Sequence, residues 1–232
     1  MELNILYEDR SLVVCEKPIG VLSQKDESGK GTDMLTLLNE HFWQNGERRE
    51  AFVLHRLDAA VGGVMVYAKT KEAAASLSGA IARGELDKEY FALCEGDVSA
   101  DLGQSGELCD LLFRDTKKNK SYVTDRMRKG VKEAKLAYRV LAVGSYERET
   151  LSLVRVKLFT GRTHQIRVQF SSRGHSLVGD KRYGARQKAD AIGLFSAMIG
   201  FCHPKNREYM TFSLPLPQGG AWEAVQEEGE LL

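Results

Sequence analysis

Short runs of β-branched and apolar residues, each bounded by turn-forming residues, recur along the chain and outnumber its helical patterns. They fall at Ile5–Tyr7, Leu12–Glu16, Gly63–Ala68, Glu89–Glu95, Ala137–Ala142, Leu151–Leu158 and Met210–Leu214 and read as strands. Helical patterns lie between some of them. Asp33–His41 follows a Thr32 or Asp33 cap, Ala-rich Lys71–Arg83 stops at Gly84, and Gln165–Arg173 closes at Gly174. Because the strands do not alternate regularly with helices, the expectation is an α+β fold around a largely antiparallel sheet. No repeat or Pro/Ser-rich linker divides the 232 residues. One domain over residues 1–232 is expected.

Charge narrows the partners. Lys plus Arg is 33 and Asp plus Glu is 32, a net charge of +1, which excludes a polybasic protein but not a local basic face. Such faces are visible. Between Arg114 and Arg139 many bases, Lys117, Lys118 and Lys120 among them, meet only Asp115, Asp125 and Glu133. From Arg155 to Lys188 the bases meet Asp180 alone, whereas the tail 223–232 carries Glu223, Glu227, Glu228 and Glu230. Two basic runs in one chain favour a polyanion over a merely solvated face.

Cys15, Cys94, Cys109 and Cys202 lie far apart with no C-x-x-C pair, which argues against a zinc ribbon and against a disulfide scaffold. The N-terminus lacks the basic, then apolar, pattern of a signal peptide. The most apolar stretch, Ala191–Phe201, is about half a bilayer span. A cytoplasmic protein with reduced thiols and no membrane contact is expected.

Three segments depart from what folding alone demands. His55-Arg56-Leu57-Asp58 precedes Gly62-Gly63 and an apolar run. Such a turn can present a carboxylate beside a base, although an Asp there can equally bond backbone amides. Gly161-Arg162-Thr163-His164-Gln165-Ile166-Arg167 is a poor core segment and a good anion or nucleic-acid site. A helix starting near Thr163 would add backbone N–H groups to it. Gly174 to Gly184, GHSLVGDKRYG, is dense in turn residues.

HRLD with GGVMV, Lys88-Glu89-Tyr90, GRTHQIRV and GHSLVGDKRYG, in this order, resemble the RluA-type family of pseudouridine synthases. Glu16-Lys17-Pro18-x-Gly20, Phe201-Cys202-His203-Pro204 and Phe212-Ser213-Leu214-Pro215-Leu216-Pro217 fit as well. The resemblance covers about residues 5–217, and the GRTHQIR and GHxxxGDxxYG pair is its most specific part. Two positions depart. Val61-Gly62-Gly63 stands where relatives usually have Thr-Ser-Gly, and Gln169 stands where they usually have His.

The resemblance implies a pseudouridine synthase fold, a mixed sheet flanked by helices and loops around a central catalytic cleft. The chain would be a monomeric catalytic domain without the N-terminal RNA-binding domain of many relatives. The implied reaction is isomerisation of uridine to pseudouridine in ribosomal or transfer RNA, with no cofactor or metal. Asp58 matches the essential carboxylate, Arg167 the arginine that pairs with it, and Tyr90 the active-site ring. Arg56 matches an arginine that enters the space left by a flipped base. Arg162, His164, Gln165, Lys117, Lys118, Lys120 and Arg182 are the expected RNA contacts. The histidines are expected to be structural. A catalytically inactive RNA-binding or RNA-chaperone module on the same fold is the alternative; the retained Asp58, Tyr90 and Arg167 speak against it.

Overall fold

The computed structural model describes residues 3–25 and 31–226, so most of the acidic tail lies outside the described residues. In chain order the elements are β1 (Ile5–Glu8), β2 (Leu12–Lys17), α1 (Met34–Gln44), β3 (Phe52–Val53), β4 (Gly62–Ala68), α2 (Lys71–Ala82) and β5 (Asp87–Glu95). There follow α3 (Val98–Leu102), β6 (Ser105–Asp115), β7 (Lys120–Thr124), β8 (Val131–Tyr146) and β9 (Glu149–Leu158). The chain ends with α4 (Gln165–Ser171), a 3-10 turn (Lys181–Tyr183), β10 (Leu194–Cys202), β11 (Tyr209–Ser213) and α5 (Gly220–Gln226). It divides into two compact units, residues 1–88 with 196–214 and residues 89–195 with 215–232.

In the first unit β2 pairs antiparallel with both β1 and β4, and β11 pairs antiparallel with β10. β4 is buried at every position, as a strand covered on both faces must be. Leu12, Val14, Val64, Val66, Leu77, Ile199 and Phe201 form its core. The Asp33 side chain accepts the Thr36 N–H at the start of α1, and Thr70 caps α2 through the Ala73 N–H. Gly63 sits at φ +118° against the backbone of Ser196, an approach open only to a residue without Cβ.

In the second unit the strand order is β5-β9-β8-β6-β7, antiparallel throughout. β8 carries a register shift between Val140 and Ala142. α5 packs on β8 and β9, burying Val225 with Leu151, Leu153 and Leu216. Val168 of α4 and Tyr183 join Leu112 and Ala134 in a smaller cluster.

The structure is α+β, as the strand-rich pattern implies. Strand content exceeds the expectation: β6 lies in a stretch that the sequence reading leaves unassigned, β7 lies within the basic segment, and β8 begins at Val131 rather than Ala137. The helix expected over Gln165–Arg173 ends at Ser171. It starts after His164, whose left-handed φ of 55° breaks the chain direction.

Candidate active site

Arg56 and Asp58 belong to the first unit; Tyr90, Arg167 and the other candidates belong to the second. The turn bearing Asp58 is braced from three sides. Ser23 Oγ donates to the Leu57 carbonyl at 2.9 Å and accepts the Leu57 N–H at 3.0 Å. The Val61 N–H closes the turn on the Asp58 carbonyl at 3.0 Å, and the Gly20 N–H reaches the Ala59 carbonyl at 2.8 Å. The Lys17 ammonium, with no exposed surface, donates to the carbonyls of Pro18, Val21 and Ala59 at 2.9, 2.6 and 3.4 Å. Leu57 is buried beneath this turn while Arg56 stands exposed and Asp58 half-buried.

Charge around this turn is set by burial. Desolvation lowers the Lys17 pKa to about 8, opposed by the negative charge of Asp58. The ring of His55 accepts the Val66 N–H at Nε2, 3.3 Å. Desolvation, then the Lys88 charge, pull its pKa down to about 3, so it is a neutral acceptor at physiological pH.

In the second unit Tyr90 is buried on β5, opposite Val156 of β9. Arg167, on α4, is 5% exposed. Its Nε and Nη2 donate to both carboxylate oxygens of Asp180, at 2.6 and 2.8 Å, the fork geometry that fixes a guanidinium in plane. The ring of Tyr183 has the Arg167 guanidinium at 5.1 Å and the Lys120 ammonium at 5.1 Å from its centroid. The Tyr183 hydroxyl accepts the Ser121 N–H at 2.8 Å and pairs with His164 Nδ1 at 2.9 Å. Burial raises its pKa, and it remains a neutral phenol.

The expected RNA contacts separate into two groups. Lys117 and Lys118 stand exposed on the turn between β6 and β7, where the Asp115 carboxylate accepts the Lys118 N–H at 3.0 Å. Arg182 joins them by donating to the Asn119 and Lys118 carbonyls, and Lys120 lies beside Tyr183. One basic surface therefore collects residues more than sixty positions apart in sequence. Gln165 and His164 are placed differently from an RNA-facing expectation. Gln165 Oε1 accepts from Thr160 Oγ1 and the Arg162 N–H, and its Nε2 donates to the Lys135 carbonyl. Both side chains are buried and fasten the loop that delivers Arg167. Arg162 is half-buried, its Nε donating to the Glu133 carbonyl at 2.8 Å.

Sequence reasoning passes over Asp180 and Tyr183 as partners of Arg167. The signal is present: an acid and an aromatic three residues apart between glycines, the only acid in an otherwise basic stretch. Gln169, at a position where His was expected, donates to Asp110 Oδ2 at 2.7 Å. Arg173 forks onto the same carboxylate, so Gln169 belongs to a structural network. Among the described residues no cluster of His, Cys, Asp and Glu could hold a metal ion. No helix among them is long and apolar enough to cross a membrane.

A family model described as RNA pseudouridylate synthase matches residues 11–172. The chain is 34% identical over 218 residues to the uncharacterized RNA pseudouridine synthase YhcT of Bacillus subtilis, covering 93% of this chain and 69% of the relative. It is 31% identical to ribosomal large subunit pseudouridine synthase D of Vibrio cholerae, covering 94% and 68%. The solved structure of human RNA pseudouridylate synthase domain containing 1 shares the fold, with a TM-score of 0.75 at 24% identity over 92% of this chain and 83% of that one. The chain belongs to the RNA pseudouridylate synthase family, isomerases that convert uridine in RNA to pseudouridine.

Proposed function

We propose that this chain isomerises specific uridines in ribosomal or transfer RNA, with Asp58 as the catalytic carboxylate and both units acting as one cytoplasmic, monomeric catalytic domain without a cofactor. The observation that carries the reading is the braced turn: half-buried Asp58 sits on a turn whose flanking backbone, at Leu57 and Ala59, is held by Ser23, Gly20 and Lys17, in a chain of this family. In the reaction the N1–C1′ bond breaks, a C5–C1′ bond forms, and the proton lost from C5 is balanced by one gained at N1. An ionised carboxylate can drive this by attacking C1′ or by removing a ribose proton.

The family resemblance assigns Arg167, fixed in plane by its fork onto Asp180, the role of pairing with the catalytic carboxylate. Tyr90 supplies a ring against the uracil face. Arg56, exposed one residue from Leu57, is suited to fill the space a flipped base leaves. The basic surface of Lys117, Lys118, Lys120 and Arg182 holds phosphate, with Arg162 at its margin.

The test is Asp58→Asn, which keeps size and removes the anion. Tritium release from ribosomal RNA transcribed with 5-tritiated uridine is expected to fall by far more than tenfold, about 1.4 kcal/mol of barrier, while RNA binding persists. Activity within tenfold of wild type would remove Asp58 from the chemistry.

A further inference from the structure

We propose that the outer edge of the second unit, the face shared by Phe113 and Tyr122, is a stacking platform for an unpaired nucleobase of the RNA. The inference rests on RNA being the substrate and goes beyond it by assigning a separate base-binding surface.

β7 ends the strand order of its unit, and Tyr122 stands directly opposite Phe113 of β6 in the antiparallel register. Directly opposed residues put their side chains on the same face. Tyr122 is 38% exposed, unusual for a ring on a strand with a core to join. Each ring has its own cation. The Arg128 guanidinium lies 4.9 Å from the Phe113 centroid and the Lys120 ammonium 5.6 Å from that of Tyr122. Lys120 also reaches Tyr183, which carries Arg167 on its ring. A row of cations and aromatic rings, Arg128, Phe113, Tyr122, Lys120, Tyr183 and Arg167, thus runs from the edge inward.

Charge selects the occupant. Arg126, Arg128 and Lys129 are exposed around this face with Asp125 as the neighbouring acid, and Met127 is 64% exposed between them. An exposed ring beside a half-buried one, set among cations, suits a base whose π-face stacks while its phosphates meet Lys and Arg. A duplex, with its bases already stacked, would use the cations alone.

The experiment measures binding of a fluorescent twelve-nucleotide oligouridylate and of a twelve-base-pair RNA duplex to the full chain, with Tyr122→Ala and Tyr122→Phe beside wild type. Tyr122→Ala is expected to weaken the oligouridylate about tenfold and leave the duplex within twofold, while Tyr122→Phe keeps wild-type affinity. Equal losses for both RNAs, or no loss, would overturn the platform. So would a concentration-dependent dimer of wild type that Tyr122→Ala abolishes, since the edge would then serve a second copy. Photo-crosslinking of a 4-thiouridine oligonucleotide to unmodified protein checks the same claim without a substitution: adducts on residues 120–124 are expected, and adducts exclusively elsewhere contradict it. Wild-type protein that binds neither RNA and releases no tritium fails the functional reading itself. Wild-type oligouridylate affinity retained by Tyr122→Ala in an active enzyme overturns the platform alone.

Discussion

Lys17 illustrates how one side chain can serve the site at a cost to the fold. Its ammonium is buried and satisfied by three carbonyls, one of them on the residue after Asp58. With the folded pKa lowered to about 8 and the unfolded value near 10.4, the folded state gives up this proton first. Between these values the unfolded chain holds more protons, so the stability owed to this group rises with pH; below about pH 8 the cost is constant. Comparison with Lys17→Met isolates that contribution. In urea unfolding, wild type is expected to gain about 2 kcal/mol on the variant between pH 7 and 9.5; parallel stability curves would sink the assignment. Asp180 makes the opposite case. Removing its charge leaves Arg167 buried without its fork, so Asp180→Asn is expected to destabilise by about 3 kcal/mol and to lower turnover as well. Wild-type stability in the variant would contradict the clamp. Arg167 itself is legible as a site residue, because arginines in a GRTHQIR run make no sense as core. Its partner is not, because the pairing joins α4 to a turn thirteen residues later, and no local periodicity encodes that.

Elements are legible where they are apolar. β2, β4 and β9 are built of valines and leucines and emerge from the pattern nearly to the residue, and α1 and α2 announce themselves by Asp33, by an Ala-rich run and by Gly84. β6 escapes notice because Glu107, Asp110 and Arg114 break up its apolar positions, and β7 because it is only five residues long and sits among basic residues. β10 stands out as an apolar stretch but not as a strand, since a buried run of nine residues does not declare its type. Its packing gives a sharp test. A Cβ on Gly63 would lie 2.2 Å from the Ser196 carbonyl oxygen, and its φ of +118° is hostile to any side chain. Gly63→Ala should therefore cost more than about 4 kcal/mol, whereas Gly62→Ala, one residue earlier at no positive φ, should be much milder. Equal thermal melting of the two variants would show that β4 can move away from Ser196.

At the scale of the whole molecule, a net charge of +1 cannot draw a polyanion from a distance, so attraction has to come from where the charges are gathered. The fold does this gathering by folding the β6–β7 turn against the 3-10 turn, where Arg182 grips the Lys118 and Asn119 carbonyls. The lysines of that turn are not equivalent. Lys117 and Lys118 are exposed, whereas Lys120 is committed to the rings of Tyr122 and Tyr183, so its loss would disturb packing as well as charge. The clean variant is therefore Lys117→Ala with Lys118→Ala. It should weaken many RNAs alike and flatten the salt dependence of log K by up to about two units, roughly one for each phosphate left without its lysine. Turnover of saturated enzyme should stay at the wild-type rate, because neither lysine touches the reacting base. Titrations across a range of salt concentrations decide the matter: an unchanged dissociation constant and slope would make this turn a solvated one, leaving RNA to be held by other basic residues.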